Sequence, residues 1–308
     1  MKFHLQFGEH SIIQLDIPPD RCVAVGRAPA SDPVDIIAAT KSAIEAPLDF
    51  PPLKQAIVPG DHVVLALGPG VPQATDIVAA VVPVLLEGGV APQDIMLLRA
   101  PVDIESGQPD PRSRLAEPIR EAVQTVTHDP AHQDELGYLA ADPQGAPIYL
   151  NRHLCEADLV IPIGCLRSES TNGKRNVWND TLYPTFADRT TIEHLELNGV
   201  PLTAGQLAHR HKQVDQIAWL LGIQTTAQVV PAGGDRVLQI LAGLPEAVFA
   251  QGESISRSTW QYEVSTRANL VIAALSGGKS QQTWTNLAHA LQSALNVVND
   301  DGAIVLCT

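Results

Sequence analysis

The sequence predicts an α/β protein in which helices flank a parallel or mixed sheet. A strand at Val63–Leu67, a glycine-rich turn, a helix and a second strand at residues 94–98 follow one another and form a βαβ unit. Residues 159–163 are a continuous apolar run, which is typical of a strand buried on both faces. A helical pattern over residues 214–221 leads into a strand at residues 226–230, which repeats the alternation.

The first elements are predicted from local patterns. Ile13, Leu15 and Ile17 alternate with polar residues and indicate a half-exposed strand or hairpin. Asp32-Pro33 has the form of a cap and first turn for a helix that ends before Pro47. Glycines predict the turns that bound the next elements. Gly60 precedes the first central strand, Gly88-Gly89 follow the helix of the βαβ unit, and Gly222 follows the later helix.

The last part of the chain begins another strand–helix–strand pattern. The Ser/Gly-rich residues 251–259 suggest a link between domains. A strand then ends at Ser276-Gly277-Gly278-Lys279, a helix is predicted over residues 287–298, a turn at residues 299–302, and a strand at residues 303–306. We therefore expect two domains, residues 1–255 and the beginning of a second α/β domain at residues 256–308.

Composition limits the classes of function. The chain has 308 residues, 45% hydrophobic, and a formal net charge of −14, which disfavours nucleic acid and anionic lipid as partners because those need a basic surface. A small-molecule ligand is the better expectation. The first residues lack the apolar segment of a signal peptide, no apolar run is long enough to span a membrane, and the four scattered cysteines fit a reducing compartment. These features predict a cytoplasmic protein; they do not predict its oligomeric state.

The loop after residues 159–163 concentrates chemically active side chains. Loops that leave the carboxyl ends of parallel strands are where such folds bind ligands, and this loop offers an amine at Lys174 and an imidazole at His194. Its motifs resemble those of the nickel-pincer lactate racemase family: Ala157-Asp158-Leu159-Val160-Ile161, Thr171-Asn172-Gly173-Lys174, Pro184, and Thr191-Ile192-Glu193-His194.

The resemblance implies an isomerase that inverts a 2-hydroxy acid by hydride transfer to a nickel-pincer nucleotide, a nickel pyridinium bisthiocarboxylate mononucleotide. In that family the lysine equivalent to Lys174 holds the nucleotide covalently, so Thr171, Asn172 and Gly173 are expected beside the cofactor. The histidine equivalent to His194 ligates the nickel. Lys279 lies close to the position of a family lysine that helps to hold the substrate. The second domain is then only partly present relative to the family.

The family's substrate-binding and acid–base motifs are changed in this chain. Where the family has D-x-T-R-P after the first strand, Gly68 replaces the aspartate and Val71 replaces the arginine that is expected to bind the substrate carboxylate. The turn after the second strand carries Arg99-Ala100-Pro101-Val102-Asp103 in place of G-T-H-R-P, so its histidine is missing. The second family histidine is also absent near Arg167. The catalytic groups are therefore unknown, and Asp103 and Glu105 are expected to face solvent.

Three alternatives remain open from the sequence. The protein could be a catalytically inactive family member that acts as a binding or scaffold protein, with Lys174 and His194 as ordinary loop residues. It could instead be a phosphate- or nucleotide-binding enzyme that uses residues 277–280, although Ala273 stands where a P-loop needs its leading glycine. Gly68-Pro69-Gly70 also suggests a dinucleotide-binding turn, but Gln73 occupies the position of the third glycine.

Overall fold

The computed structural model describes residues 2–29, 34–142, 145–166, 181–196 and 204–308. These residues form twelve strands and nine α-helices. The strands are β1 (Lys2–Phe7), β2 (Ser11–Asp16), β3 (Val63–Leu67), β4 (Ile95–Arg99), β5 (Gln124–Thr127), β6 (Leu136–Ala141), β7 (Pro147–Asn151), β8 (Leu159–Cys165), β9 (Thr226–Pro231), β10 (Val237–Gly243), β11 (Ala268–Ala274) and β12 (Val298–Cys307). The helices are α1 (Ile36–Glu45), α2 (Ala74–Glu87), α3 (Pro101–Glu105), α4 (Glu117–Ala122), α5 (Arg152–Glu156), α6 (Arg189–Glu196), α7 (Ala204–Leu220), α8 (Pro245–Trp260) and α9 (Trp284–Leu295).

A six-stranded mixed sheet organises the fold, which confirms the predicted α/β class. Its strand order is β10-β9-β8-β3-β4-β5, and all neighbours are parallel except the β9-β10 pair. From β3 the chain adds β4 and β5 on one side, then crosses over to add β8 and β9 on the other side. The sheet therefore reverses its direction of growth between β3 and β8.

Helices cover both faces of the sheet. Alternate residues of β3 belong to different cores: Val63, Leu65 and Leu67 pack with helices α1 and α2, whereas Val64 and Ala66 pack with the face that α6 and α7 cover. All five residues of β3 are buried. Burial on both faces explains why this strand is apolar throughout. A third cluster joins β9 and β10 to helix α8.

Smaller strand pairs surround the sheet. β1-β2 and β6-β7 are antiparallel hairpins, and β11-β12 is a parallel pair joined by helix α9. The hairpin turn contacts the later unit, because Gly8 N donates to Leu275 O at 2.8 Å and Gly277 N donates to Gly8 O at 2.9 Å. The β11-β12 pairing also approaches the hairpin through a parallel bridge between Gly8 and Ser276.

The predicted link at residues 251–259 is wrong in its local structure, because these residues lie within helix α8. Val248, Gly252 and Ser256 recur at intervals of four and are buried on one face of that helix. A Cβ on Gly252 would overlap the Leu166 side chain and lie 3.4 Å from Leu241 Cδ1. The small residues therefore permit close packing and do not mark a flexible link. The division into domains 1–255 and 256–308 stays a prediction.

Two further local predictions are corrected by the structure. Helix α1 is capped by Asp35, whose Oδ1 accepts a hydrogen bond from Ala38 N at 3.0 Å, whereas Asp32 and Pro33 lie outside the described residues. Residues 299–302 belong to β12, where the register moves from Ala268↔Val298 to Leu270↔Ala303, so the expected turn is an irregularity within a strand. Within the described ranges, no helix combines the length and the apolar character needed to cross a membrane.

Candidate functional site

The candidate site lies at the carboxyl ends of β3 and β8, a place that we call the crevice. In open α/β sheets, ligands bind where the order of strands reverses, at the carboxyl ends of the parallel strands. Here β3 and β8 pair from Val63↔Leu159 to Leu67↔Ile163, and Gly68 N continues the ladder by donating to Ile163 O at 2.9 Å. The glycines Gly68 and Gly164 therefore end these two strands side by side.

Thr181 and Gln228 close over this pair of glycines. A Cβ on Gly68 would lie 3.2 Å from Thr181 Cα, and a Cβ on Gly164 would overlap Thr181 Oγ1 and lie 2.5 Å from Gln228 Oε1. Gln228 is the register partner of Gly164 across the β8-β9 pair and is 1% exposed. Because these two positions are glycines, the Thr181 hydroxyl and the Gln228 carboxamide can approach the backbone where the order of strands reverses.

The orientation of the Gln228 carboxamide is determined by its neighbours. The Thr226 hydroxyl donates its single proton to Pro162 O at 2.8 Å, because a carbonyl oxygen can only accept. Thr226 Oγ1 can then only accept from Gln228, which places Gln228 Nε2 toward it at 2.8 Å and turns Oε1 toward Gly164. Among the residues that the structure describes, none donates to Gln228 Oε1. The crevice thus contains a buried hydrogen-bond acceptor.

We expect the Gly164→Ala substitution to destabilise the protein by about 2 kcal/mol, because the added methyl group overpacks a site between Thr181 and Gln228. Gly205→Ala is the matched control, since a Cβ on Gly205 of helix α7 meets nothing within 4 Å and alanine favours the helix. Denaturant unfolding of both variants measures the difference. Equal stabilities for the two variants would contradict the described packing of the crevice.

The turn after β3 is held by the segment that follows β4. Gly70 N donates to Asp103 Oδ1 at 2.8 Å, and Asp103 is 8% exposed. The expectation that Asp103 faces solvent is therefore wrong, whereas Glu105 is exposed as expected. Val71, which stands at the position of the family arginine, is 4% exposed and packs in the core beneath α1 and α2. The turn presents no cationic side chain at this position.

Arg99, at the end of β4, lies beside this turn. Its guanidinium donates to the Gln108 and Pro109 carbonyl oxygens at 3.4 and 3.3 Å. Burial lowers the pKa of Arg99, whereas the nearby carboxylates of Asp103 and Asp110 act in the opposite direction. Arginine remains charged under these conditions because its ordinary pKa is very high. Its bonds hold the backbone after β4 in place.

Of the residues predicted to hold the cofactor, the structure describes only His194. Thr171, Asn172, Gly173 and Lys174 lie outside the described residues. Helix α6 packs Ile192 and Leu195 against the core on one face of the sheet and leaves His194 exposed. The structure therefore places the imidazole in contact with solvent. Its distance from Lys174 stays untested.

Lys279 is exposed in the loop between β11 and α9. Backbone amides in this loop already donate within the protein: Gly277 N to Gly8 O, Gln281 N to Gly278 O, and Gln282 N to Lys279 O. The first turn of α9 starts at Trp284, several residues beyond Ser280, and a Cβ on Gly278 would lie 3.7 Å from a Glu9 carboxylate oxygen. A P-loop needs free amides and a helix that begins at its lysine. The geometry of residues 277–280 does not support phosphate binding.

His128 has a structural position in the second core. It is 1% exposed, its Nε2 lies 2.8 Å from Ala187 O, and its Nδ1 lies 3.2 Å from Asn151 Nδ2. The carbonyl oxygen requires a proton on Nε2, so Nδ1 accepts from the amide and the ring is neutral. Burial correspondingly lowers the pKa of His128. This pair of bonds fixes the segment that runs from the crevice to helix α6.

Sequence reasoning missed Gln228 and Thr181. Gln228 lies in strand β9, whose first five residues are buried, and a polar residue in such a strand is a signal of a specific hydrogen-bonding role. Thr181 carries no comparable signal, because its position over Gly68 and Gly164 depends on how the chain returns to the crevice. Among the described residues, no three His, Cys, Asp or Glu side chains form a cluster that could hold a metal ion.

The comparisons with known proteins agree with this architecture. The sequence model of the lactate racemase N-terminal domain matches residues 7–173, more than half of the 308 residues. No curated protein matches the chain in sequence. The lactate racemase apoprotein from Thermoanaerobacterium thermosaccharolyticum is similar in structure, with a TM-score of 0.72 and 16% identity over 99% of this chain and 74% of that one.

A second solved structure shares the fold more distantly. It is a protein from Thermotoga maritima, with a TM-score of 0.52 and 15% identity over 77% of this chain and 62% of that one. Both identities are low enough that the structural matches show the fold alone. The family assignment depends on the match over residues 7–173, which includes β3, β4 and β8 and thus both sides of the crevice. The chain therefore belongs to the lactate racemase family, whose N-terminal domain it carries.

Proposed function

We propose that this protein is an isomerase of the lactate racemase type, which inverts a hydroxyl-bearing carbon of a small molecule. The family implies a 2-hydroxy acid as the substrate class. The observation that carries the proposal is the family match through residue 173, because it covers the strands and turns that form the crevice between β3 and β8. We place the protein in the cytoplasm, in line with its composition.

The nickel-pincer nucleotide is the cofactor that the family implies. Lys174 would hold it covalently beside Thr171, Asn172 and Gly173, and His194 would ligate the nickel. His194 is exposed, and imidazole is a common ligand for nickel, so its residue type fits this role. When bound, the cofactor would supply the hydride acceptor that the inversion requires.

The protein's remaining tasks are to bind and orient the substrate. Lys279, on the loop that the β1-β2 hairpin turn holds in place, would donate from its ammonium group to an oxygen of the substrate. Thr181 and Gln228 would bound the crevice on its β8-β9 side. The groups that transfer protons are not identified, because Val71 is buried where the family has its arginine and the turn after β4, residues 99–103, contains no histidine.

A second candidate is a binding or scaffold protein without catalytic activity. It is favoured by the same substitutions, since Val71 replaces the family arginine after β3 and the turn after β4 lacks the family histidine. A positioned acid or base typically contributes about 10²–10⁴ in rate, so the loss of such groups would greatly reduce catalysis. The two candidates differ in whether the cofactor is retained and whether a substrate is inverted.

The test is the intact mass and nickel content of protein that is produced in cells able to build the pincer cofactor. We expect a covalent mass increase and about one nickel per chain in the wild type, because Lys174 and His194 would hold the nucleotide and its metal. Both signals should disappear in the Lys174→Ala variant. In the Lys279→Ala variant both should remain, because that residue is assigned to the substrate.

Inversion of a panel of hydroxy compounds, followed by chiral chromatography, then separates the two candidates. A wild-type protein that carries the adduct and inverts a compound supports the isomerase. An adduct without inversion of any compound supports the binding protein. A wild-type protein with neither mass increase nor nickel contradicts the proposed cofactor.

A further inference from the structure

Helix α9 exposes a row of apolar side chains. Trp284 is 85% exposed, Leu291 39% and Leu295 49%, and Ala288 between them is also exposed. These four residues lie in one narrow row along the helix, because residues three or four apart share a face and a helix turns by about 100° per residue. The backbone of residues 204–308 is described without a gap, and among the described residues none buries this row.

The row is separate from the face that holds α9 on the protein. Leu287, Ala290 and Ala294 are buried or half-buried, and they lie about 100° around the helix from the exposed row. The helix packs on β11 and β12. A helix that covers only one sheet is expected to be polar away from that sheet. The row thus gives α9 a second apolar side, which is typical of a helix that also packs against another helix.

The segment that contains α9 carries no formal charge. Residues 280–299 contain no Asp, Glu, Lys or Arg, although 18% of the chain is charged and its net charge is −14. Two copies of an acidic protein repel each other, so they can approach most easily through a surface without charge. A basic partner would gain no electrostatic attraction from this row. The charge pattern therefore favours a second copy of this chain as the occupant.

The order of the side chains in the row also fits a second copy. A two-fold axis between His289 and Ala290 would place Trp284 of one copy opposite Leu295 of the other, and Ala288 opposite Leu291. Each opposing pair is apolar and joins a larger side chain to a smaller one. The two helices would be antiparallel, so their dipoles would point in opposite directions.

We propose that α9 forms a homodimer interface, in which the helices of two copies pack antiparallel about a two-fold axis. This inference does not depend on the proposed function. The apolar row and its polar flanks would bury on the order of 1,000 Å² in total, the lower limit of a specific interface. We therefore expect a reversible dimer with a dissociation constant of about 10–100 μM. Assembly should stop at the dimer, because a two-fold contact is closed.

Sedimentation equilibrium of the full chain over a range of about 1–300 μM tests the proposal. The Trp284→Gln and Leu291→Gln variants should each weaken the dimer at least about tenfold, because large apolar side chains at an interface contribute most of its affinity. Trp219→Gln is the matched control, since Trp219 is a 78% exposed tryptophan on helix α7, outside the row. It should change the dissociation constant by less than about twofold. Circular dichroism checks that each variant is folded.

A pair of charged variants tests the antiparallel arrangement. Ala288→Lys and Leu291→Glu should each be monomeric alone, because each places a charge in the apolar contact. An equimolar mixture should recover a dimer, since Lys at 288 would lie opposite Glu at 291 of the other copy. The proposal is overturned if the wild type stays monomeric over the whole range or forms larger assemblies, if Trp219→Gln weakens the dimer as much as Trp284→Gln, or if the mixture stays monomeric.

Discussion

Gly243→Ala is expected to destabilise the protein by about 4 kcal/mol or more, since it combines two penalties of about 1–3 kcal/mol each. Gly243 has a φ of +133°, a conformation that alanine rarely adopts. A Cβ at this position would also overlap the backbone N and O of Leu48 and lie 2.9 Å from its carbonyl carbon. Leu48 cannot easily move away, because Leu48 N donates to Ala242 O and Leu244 N donates to Leu48 O, both at 2.8 Å.

The control for this prediction is Gly60→Ala. Gly60 has a φ of +97°, but a Cβ there meets nothing within 4 Å, so the variant carries the backbone penalty alone. Denaturant unfolding should show that Gly243→Ala loses about 2 kcal/mol more than Gly60→Ala, which is the share due to overlap. If the two variants lose the same stability, the contact between Leu48 and Gly243 at the end of β10 is not as close as the structure describes.

His128→Leu is expected to cost about 3 kcal/mol, because it leaves two buried polar groups without their partners. Ala187 O would lose its donor and Asn151 Nδ2 its acceptor, while the edge-on contact of the ring with Phe186, at 5.8 Å between centroids, would also be lost. His132→Leu is the control. His132 is exposed and forms a surface ion pair with Glu135 at 3.0 Å, and such pairs contribute little.

The pH dependence of the same variants provides a second measurement. Because the pKa of His128 is lowered by burial, the unfolded chain takes up a proton near the ordinary value of 6.5 while the folded protein resists it. His128 therefore contributes its full stability above pH 6.5 and loses part of it as the pH falls below that value. The His128→Leu variant should lose less stability on acidification than the wild type. A larger loss in the variant would contradict the buried, neutral ring.

The elements that have glycine or proline residues at both ends were predictable from the sequence. β3 was predicted with the bounds Val63–Leu67 that the structure shows, because Pro59-Gly60 precedes it and Gly68 follows it. Residues 251–259 were predicted incorrectly because serine and glycine are frequent both in linkers and on closely packed helix faces. Only the spacing of Val248, Gly252 and Ser256 distinguishes the two, and it does so once their neighbours are known.

The candidate site was less predictable than the fold. The sequence indicated the crevice through the glycine-rich turn and the polar loop after β8, and the structure confirms that the two strands are adjacent. It did not indicate that Asp103 would reach back to Gly70, because that contact joins two turns that are distant in the chain. Thr181 was missed for the same reason, whereas Gln228 carried a signal as a polar residue within a buried strand. The assigned roles of Lys174, His194 and Lys279 stay predictions.

The contact of the β1-β2 hairpin with residues 275–277 has a consequence for biosynthesis. The hairpin is synthesised well before the segment to which Gly8 binds, because most of the described chain lies between Gly8 and Leu275. Until residues 275–277 have been synthesised, the Gly8 backbone cannot form these bonds. Such late closure of a long-range contact slows folding. The hairpin can therefore be held in place only after the residues that follow β11 have been made.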